Sequence, residues 1–223
     1  MNHFDHLYAL AAARKGGEHA LEARLQTPQA AAVLAVIPDD RWLSAMAKAV
    51  FRAGFNWQVV EHKWASTEAA FQGFEPAALA AMPDEQLEAL LKDPRIIRHW
   101  KKLKAIRANA QYLVERAAQH GSAGRYFAHY PRSDYSGLLA DLKHNAAFLG
   151  GTAGQYFLRE MGKDSFILSR DVLAALRREN VFSGTPGSKA SQAAIQSAFN
   201  QWVAEGGQSL TRVSQVLAYT IGA

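Results

Sequence analysis

The sequence contains no cysteine. That excludes disulfides, cysteine nucleophiles and cysteine-ligated zinc or iron–sulfur centres together. No uninterrupted apolar run reaches the roughly 18 residues a membrane span needs, so none is expected. The opening Met1–His6 has no basic segment followed by an apolar stretch, so no secretory signal is expected, and a cytoplasmic location suits the missing cysteines. Alternating β-branched runs, low-complexity segments and internal repeats are absent as well, which argues against a sheet and against a repeat architecture. Acidic residues are scarce in one place only. Residues 92–132 hold two Asp/Glu against ten Lys/Arg, whereas 1–91 hold eleven against seven and 133–223 hold seven against eight. The whole net charge of +5 therefore arises in the central segment. Such a cluster is either a solvated helix face or a surface for phosphates, and charge alone does not choose between them.

What is present is helical periodicity along nearly the whole chain. The pattern predicts helices over 4–14, from near Glu18, over 42–52 after the start signal Pro38-Asp39-Asp40, over 57–71, 76–81 and 83–91. After Pro94 comes a long helix over 98–120, with an apolar stripe of Leu103, Ile106, Ala110, Leu113 and Ala117. Lys101, Lys102, Lys104 and Arg107 are mostly displaced from that stripe. Further helices are expected over 135–146, up to Glu160, over 170–180, 188–205 and 210–219. With 223 residues, this is one large all-α domain or two packed lobes.

Between two of these helices stands Phe148-Leu149-Gly150-Gly151-Thr152-Ala153-Gly154-Gln155-Tyr156-Phe157-Leu158. Two glycines permit a tight turn with positive φ, and Thr152 is placed to cap the next helix. A helix start of this kind aims backbone N–H groups outward and can bind a DNA phosphate without reading sequence. A Gly-Gly pair also serves simply to join helices.

This segment, continued to Gly162, resembles the hairpin of the helix-hairpin-helix base-excision glycosylases, and within them the DNA-3-methyladenine glycosylase I family. Three more stretches are similar to that family in the same order: Ala53-Gly54-Phe55-Asn56-Trp57, Phe74-Glu75-Pro76 with Ala80-Ala81-Met82, and Ile96-Ile97-Arg98-His99 with Lys102, Ala105-Ile106 and Asn109-Ala110. The resemblance spans roughly residues 40–165. It implies an all-α, bilobal helix-hairpin-helix body with a base pocket between the lobes. It also implies double-stranded DNA bearing damaged bases as partner, action as a monomer, and hydrolysis of the N-glycosidic bond of a flipped-out alkylated purine, with 3-methyladenine the expected lesion. Excision of a different base, or DNA binding without catalysis, stays open.

The same resemblance implies site residues. Gly150, Gly151 and Thr152 would hold a phosphate, aided by a monovalent cation on hairpin carbonyls. Trp57 would stack on the base, with Phe55 and Ala49 beside it, although Trp57 also reads as a core anchor. Arg98, Lys101, Lys102 and Arg107 are candidate phosphate contacts, and His99 a weaker one or a cap. The chain departs from the family at three points. Its pocket glutamate aligns with Ala49, its zinc cysteines are missing so no zinc is expected, and the first forty residues do not match. Glu61, one turn beyond Trp57, is a substitute carboxylate or a solvent-facing charge. The wider superfamily's catalytic aspartate aligns with Ser169 by ungapped counting and with Asp171 by a longer spacing. Asp171 also reads as a first-turn aspartate offsetting the helix dipole.

Overall fold

Apolar residues recurring at three- and four-residue steps give each helix one face to bury, and the connections are short. The computed structural model describes Met1–Ile221, and among these residues there is no strand. In chain order the helices are α1 (Phe4–Lys15), α2 (Glu18–Glu22), α3 (Ala31–Ala35), α4 (Asp39–Arg52), α5 (Trp57–Ala70), α6 (Pro76–Ala80) and α7 (Asp84–Ala89). They continue with α8 (Trp100–His120), α9 (Ala123–His129), α10 (Tyr135–Asn145), α11 (Thr152–Glu160), α12 (Arg170–Arg178), α13 (Lys189–Trp202) and α14 (Leu210–Tyr219). The all-α expectation holds. Two helices, α3 and α9, have no counterpart among those predicted.

The chain divides into two units. One comprises Ala30–Tyr130 and Leu139–Met161, and is built on α4 and α8. Helix α4 buries Trp42, Leu43, Met46, Ala47, Val50 and Phe51, and α8 buries Leu103, Ile106, Ala110 and Leu113. The core is aromatic: Trp42 stacks on Phe127 at 4.5 Å and meets Phe157 of α11 edge-on at 5.9 Å. Helices α3 and α9 pack so closely that a Cβ on Gly124 would lie 2.9 Å from the carbonyl oxygens of Leu34 and Ile37. Asp39, in the first turn of α4, accepts the Ala123 amide of α9 at 2.9 Å.

The other unit comprises Met1–Gln29, Pro131–Leu138 and the chain from Gly162 onward. Phe166 stacks on Phe199 at 4.4 Å and takes the edge of Tyr135 at 4.7 Å. Hydrogen bonds tie down the N-terminal end. Asn2 donates to buried Glu179 through its backbone N at 2.9 Å and its amide at 3.0 Å, and Trp202 donates to the Asn2 carbonyl at 3.0 Å. Among the described residues no group of three or more His, Asp or Glu side chains is placed to hold a metal ion.

Candidate base cleft and nucleic-acid interface

Helix α4 stops because Ala53 leaves helical geometry and Gly54 takes φ 110°. The freed carbonyls at its end are gathered by one side chain. The Lys102 ammonium reaches the oxygens of Val50 at 2.5 Å, Ala53 at 2.6 Å and Phe51 at 3.4 Å. A cation here satisfies orphan carbonyls and complements the helix dipole. Asn56 then caps α5, accepting the Gln58 amide at 2.9 Å, so that Trp57 is its first residue. A side chain at that position has no preceding turn to lean on, and Trp57 is 61% exposed.

The turn between α10 and α11 is held from below. Buried Asn109 of α8 clamps Ala147, accepting its amide at 2.7 Å and donating to its carbonyl at 3.2 Å. The backbone then reverses through two positive φ values, Phe148 at 61° and Gly151 at 74°. The positive-φ positions are thus Phe148 and Gly151, not the two glycines together, and of these only Phe148 carries backbone strain. Gly151, not Thr152, is the N-cap of α11, and no side chain caps that helix. Leu149 is buried, Gly150, Gly151 and Thr152 are exposed, and Phe148 is 54% exposed. Gly154 is required by close approach, since a Cβ there would collide with the Leu149 carbonyl oxygen.

From this turn α11 presents Phe157 and Leu158 to the core. Its other face carries Thr152, Ala153, Tyr156 and Glu160, which share one side of a helix. With Ala49 and Arg52 of α4, with Ala53 just past its end and with Trp57, they line a cleft of about 560 Å³. All of these residues belong to the same unit, whereas the resemblance implies a pocket between lobes. Charge in the cleft is ordered. Arg52 Nη1 lies 2.6 Å from both oxygens of Glu160, while its Nε donates to Glu61 at 2.9 Å. Lys48 closes the far side of Glu61 at 2.6 Å. Burial alone would raise the Glu61 carboxyl, but Lys48 and Arg52 outweigh it and hold it below the usual carboxylate range.

A second groove, of about 540 Å³, runs along α8 past Lys101, Lys104, Arg107 and Gln111 to Ala147 and Phe148 of the turn. Lys101 and Lys104 are exposed on it, and Arg98 is exposed just before α8.

The residues singled out from the sequence therefore separate. Ala49, Trp57 and Thr152 share the cleft, and Gly150 and Gly151 stand exposed where α11 begins. Phe55 does not line the cleft. It stacks on Phe51 at 6.2 Å and meets His99 edge-on at 5.8 Å, so its role is packing. Glu61 does not line it either, and its carboxylate is committed to Lys48 and Arg52. Lys102 is only 6% exposed, and its ammonium is turned to the carbonyls at the end of α4 and not to the surface where a phosphate would lie. Arg107 reaches the groove while bound to the Met82 carbonyl at 3.0 Å and to Asp84 at 2.5 Å. His99 is the N-cap of α8. Asp171 sits in the first turn of α12, bonded by Arg170 at 3.0 Å, with Ser169 as N-cap. It belongs to the other unit and is not among the residues lining the cleft. Arg52, Tyr156 and Glu160 were not anticipated. Only two successive four-residue steps from Thr152 point toward the last two.

Comparison with known proteins gives the same direction. Two solved structures share the fold, each covering 65% of this chain and 85% of the other at 22% identity. One is a glutamate-to-glutamine variant of 3-methyladenine DNA glycosylase I from Staphylococcus aureus, with TM-score 0.52. The other is a tyrosine-to-phenylalanine variant of 3-methyladenine DNA glycosylase I in complex with 3-methyladenine, with TM-score 0.53. DNA-3-methyladenine glycosylase 1 of Escherichia coli (strain K12) is 42% identical over 64 residues, which are 29% of this chain and 34% of that protein. The matched stretch thus spans about a third of the curated relative's length. The family model for methyladenine glycosylase matches residues 35–146, half of the chain, and the protein belongs to that family.

Proposed function

We propose that the protein is a DNA glycosylase that draws an alkylated purine, 3-methyladenine the expected lesion, out of a duplex and hydrolyses its N-glycosidic bond. The observation that carries this reading is the double use of α11. Its uncapped N-terminus closes the turn at Gly150–Thr152, and the face that starts at Thr152 lines the cleft beside Trp57. A phosphate held at that N-terminus would fix the duplex against the same helix that receives the base.

The chemistry asks little of the protein. Extrusion costs a few kcal/mol, recovered by stacking and polar contacts. Alkylation at N3 makes adenine cationic, so it departs as a neutral base once water attacks C1′. The C1′–N bond breaks with its electron pair going to the base, a C1′–O bond forms, and the water proton passes to solvent. An aromatic face attracts the cationic base by about 0.5–2 kcal/mol, and Trp57 offers one. Double-stranded DNA containing the lesion is the partner, and a single copy of the chain acts on it. A monovalent cation would rest on the turn carbonyls from Phe148 to Gly150, where it would add positive charge toward the phosphate; that of Ala147 is already engaged by Asn109.

The test is release of free base from methylated genomic DNA, followed by mass spectrometry, with 3-methyladenine the expected product. A second reading, excision of a different damaged base, is favoured by Ala49, which gives the cleft an apolar wall, and the same assay would show that other base. Duplex binding with no base released would overturn both in favour of a non-catalytic DNA-binding protein.

A further inference from the structure

Of the residues lining the cleft, two carry full charge, Arg52 and Glu160. They end a chain of alternating sign, Lys48–Glu61–Arg52–Glu160, whose first three members have side chains 23%, 30% and 27% exposed. Glu160 is the outermost member, at 45%. Both of its oxygens are reached by a single nitrogen, Arg52 Nη1. An ionised carboxylate offers about four lone-pair directions, so acceptor capacity is left over. Arg52 is in turn fixed from behind by Glu61.

A solvent-exposed ion pair of this kind contributes little to stability, which gives no reason for it to stand inside a cleft. Nor does folding explain two large aromatics left open on the same cleft, Trp57 at 61% and Tyr156 at 49% exposure. A flat, cationic, amino-bearing ring explains all of these together. Its face stacks on the aromatics, and its N–H edge needs a fixed anionic acceptor, because hydrogen bonds to an ionised carboxylate are the stronger kind.

We infer that Glu160 is the carboxylate that receives the N–H edge of the extruded base, with Arg52 as its positioning residue. The inference rests on the glycosylase reading and adds one residue to it: the group that tells an amino edge from a carbonyl edge is the Glu160 carboxylate, held in place by Arg52. Because Ala49 lines the same cleft, a carboxylate introduced there can stand in for Glu160.

The experiment compares the wild-type protein with Glu160→Gln, Glu160→Asp, the double variant Ala49→Glu/Glu160→Gln, and Trp57→Ala. Binding of free 3-methyladenine is measured by calorimetry, its release from methylated DNA by mass spectrometry, and folding by circular dichroism. Glu160→Gln is expected to lower affinity for the base and the rate of release by at least about tenfold, with Glu160→Asp intermediate. Binding to a duplex carrying an abasic-site analogue should stay within about twofold of wild type. The double variant should recover a substantial part of both losses. Wild-type behaviour of Glu160→Gln, with Trp57→Ala impaired, would overturn the role of Glu160 and leave the glycosylase reading standing. A wild-type protein that neither binds nor releases the base would overturn the reading and the inference with it. Loss of helical signal in Glu160→Gln, with unaltered base binding in folded Glu160→Asp and no rescue in the double variant, would also overturn it.

Discussion

Trp57 shows how far a single residue could be understood from sequence. Its neighbours Gly54 and Asn56 mark the end of one helix and the cap of the next, and both signals are local. Whether its ring faces core or solvent is decided by what packs around it, and here the ring is open. Phe55, two residues earlier, obeys the same local rules and yet is taken up by Phe51 and His99. Lys102 follows the same rule: its charge is legible in the sequence, but the three carbonyls that engage it lie about fifty residues away in the chain. Replacing Trp57 by alanine removes the stacking face alone. Base–aromatic stacking contributes about 1–3 kcal/mol, so excision should fall roughly ten- to a hundredfold while binding to undamaged duplex changes little. Parallel losses of both, measured by base release and fluorescence anisotropy, would remove Trp57 from the cleft's function.

At the scale of elements, the long periodic helices were legible to within a few residues, because each carries an apolar stripe. Helices α3 and α9 were not, since five and seven residues are too short for a stripe and neither starts at a proline, the signal that marks the equally short α6 and α7. Their packing depends on Gly124 meeting backbone of another element. The turn before α11 was legible as a turn, but not the assignment of positive φ to Phe148. Gly151→Asp would place a side chain at φ 74° and an anion at the helix start, repelling the phosphate expected there. Affinity for lesion-bearing and intact duplex should drop alike, by tenfold or more, and unchanged binding would sink the phosphate role.

The helices around α10 offer a test by pH. Asp141 accepts the hydroxyls of Tyr112 at 2.6 Å and Tyr126 at 2.7 Å, the Asn145 amide at 2.8 Å, and Arg116 at 3.3 Å. Burial would raise its carboxyl, but these donors outweigh burial and hold it below the usual range. The folded state therefore binds its proton less readily than the unfolded chain. Its stabilisation is complete above the unfolded carboxylate value of about 3.9 and is lost as pH falls through the lower folded value. Asp141→Asn should cost on the order of 1–3 kcal/mol at neutral pH and flatten the acid limb of the stability curve. Urea midpoints at several pH values would read both effects, and an unaltered acid limb would contradict the assignment.

For the molecule as a whole, the basic central segment was plain in the sequence, but counting its cations overstates what faces outward. Lys102 serves α4, Arg95 is bonded to Asp93 at 2.6 Å, Arg107 to Asp84, and Arg116 to Asp141. Pairing of this kind depends on tertiary neighbours and leaves no mark in a charge tally. The exposed remainder includes Arg98, Lys101 and Lys104, with the two lysines on the groove that ends at Phe148. If that groove follows the DNA backbone, each cation on a phosphate contributes about 0.9 to the slope of log affinity against log salt concentration. Replacing Lys101 and Lys104 together by alanine should make that slope shallower by about two. Titrations by anisotropy between about 50 and about 200 mM salt resolve such a change. The effect should be the same for damaged and intact duplex, because phosphates carry no lesion. Lys102→Ala should behave differently, leaving the slope in place and lowering thermal stability instead, since it strips the carbonyls at the end of α4 of their partner. An unchanged slope in the double variant would move the DNA path away from α8, whereas a shallower slope in Lys102→Ala would mean that its ammonium leaves α4 when DNA binds.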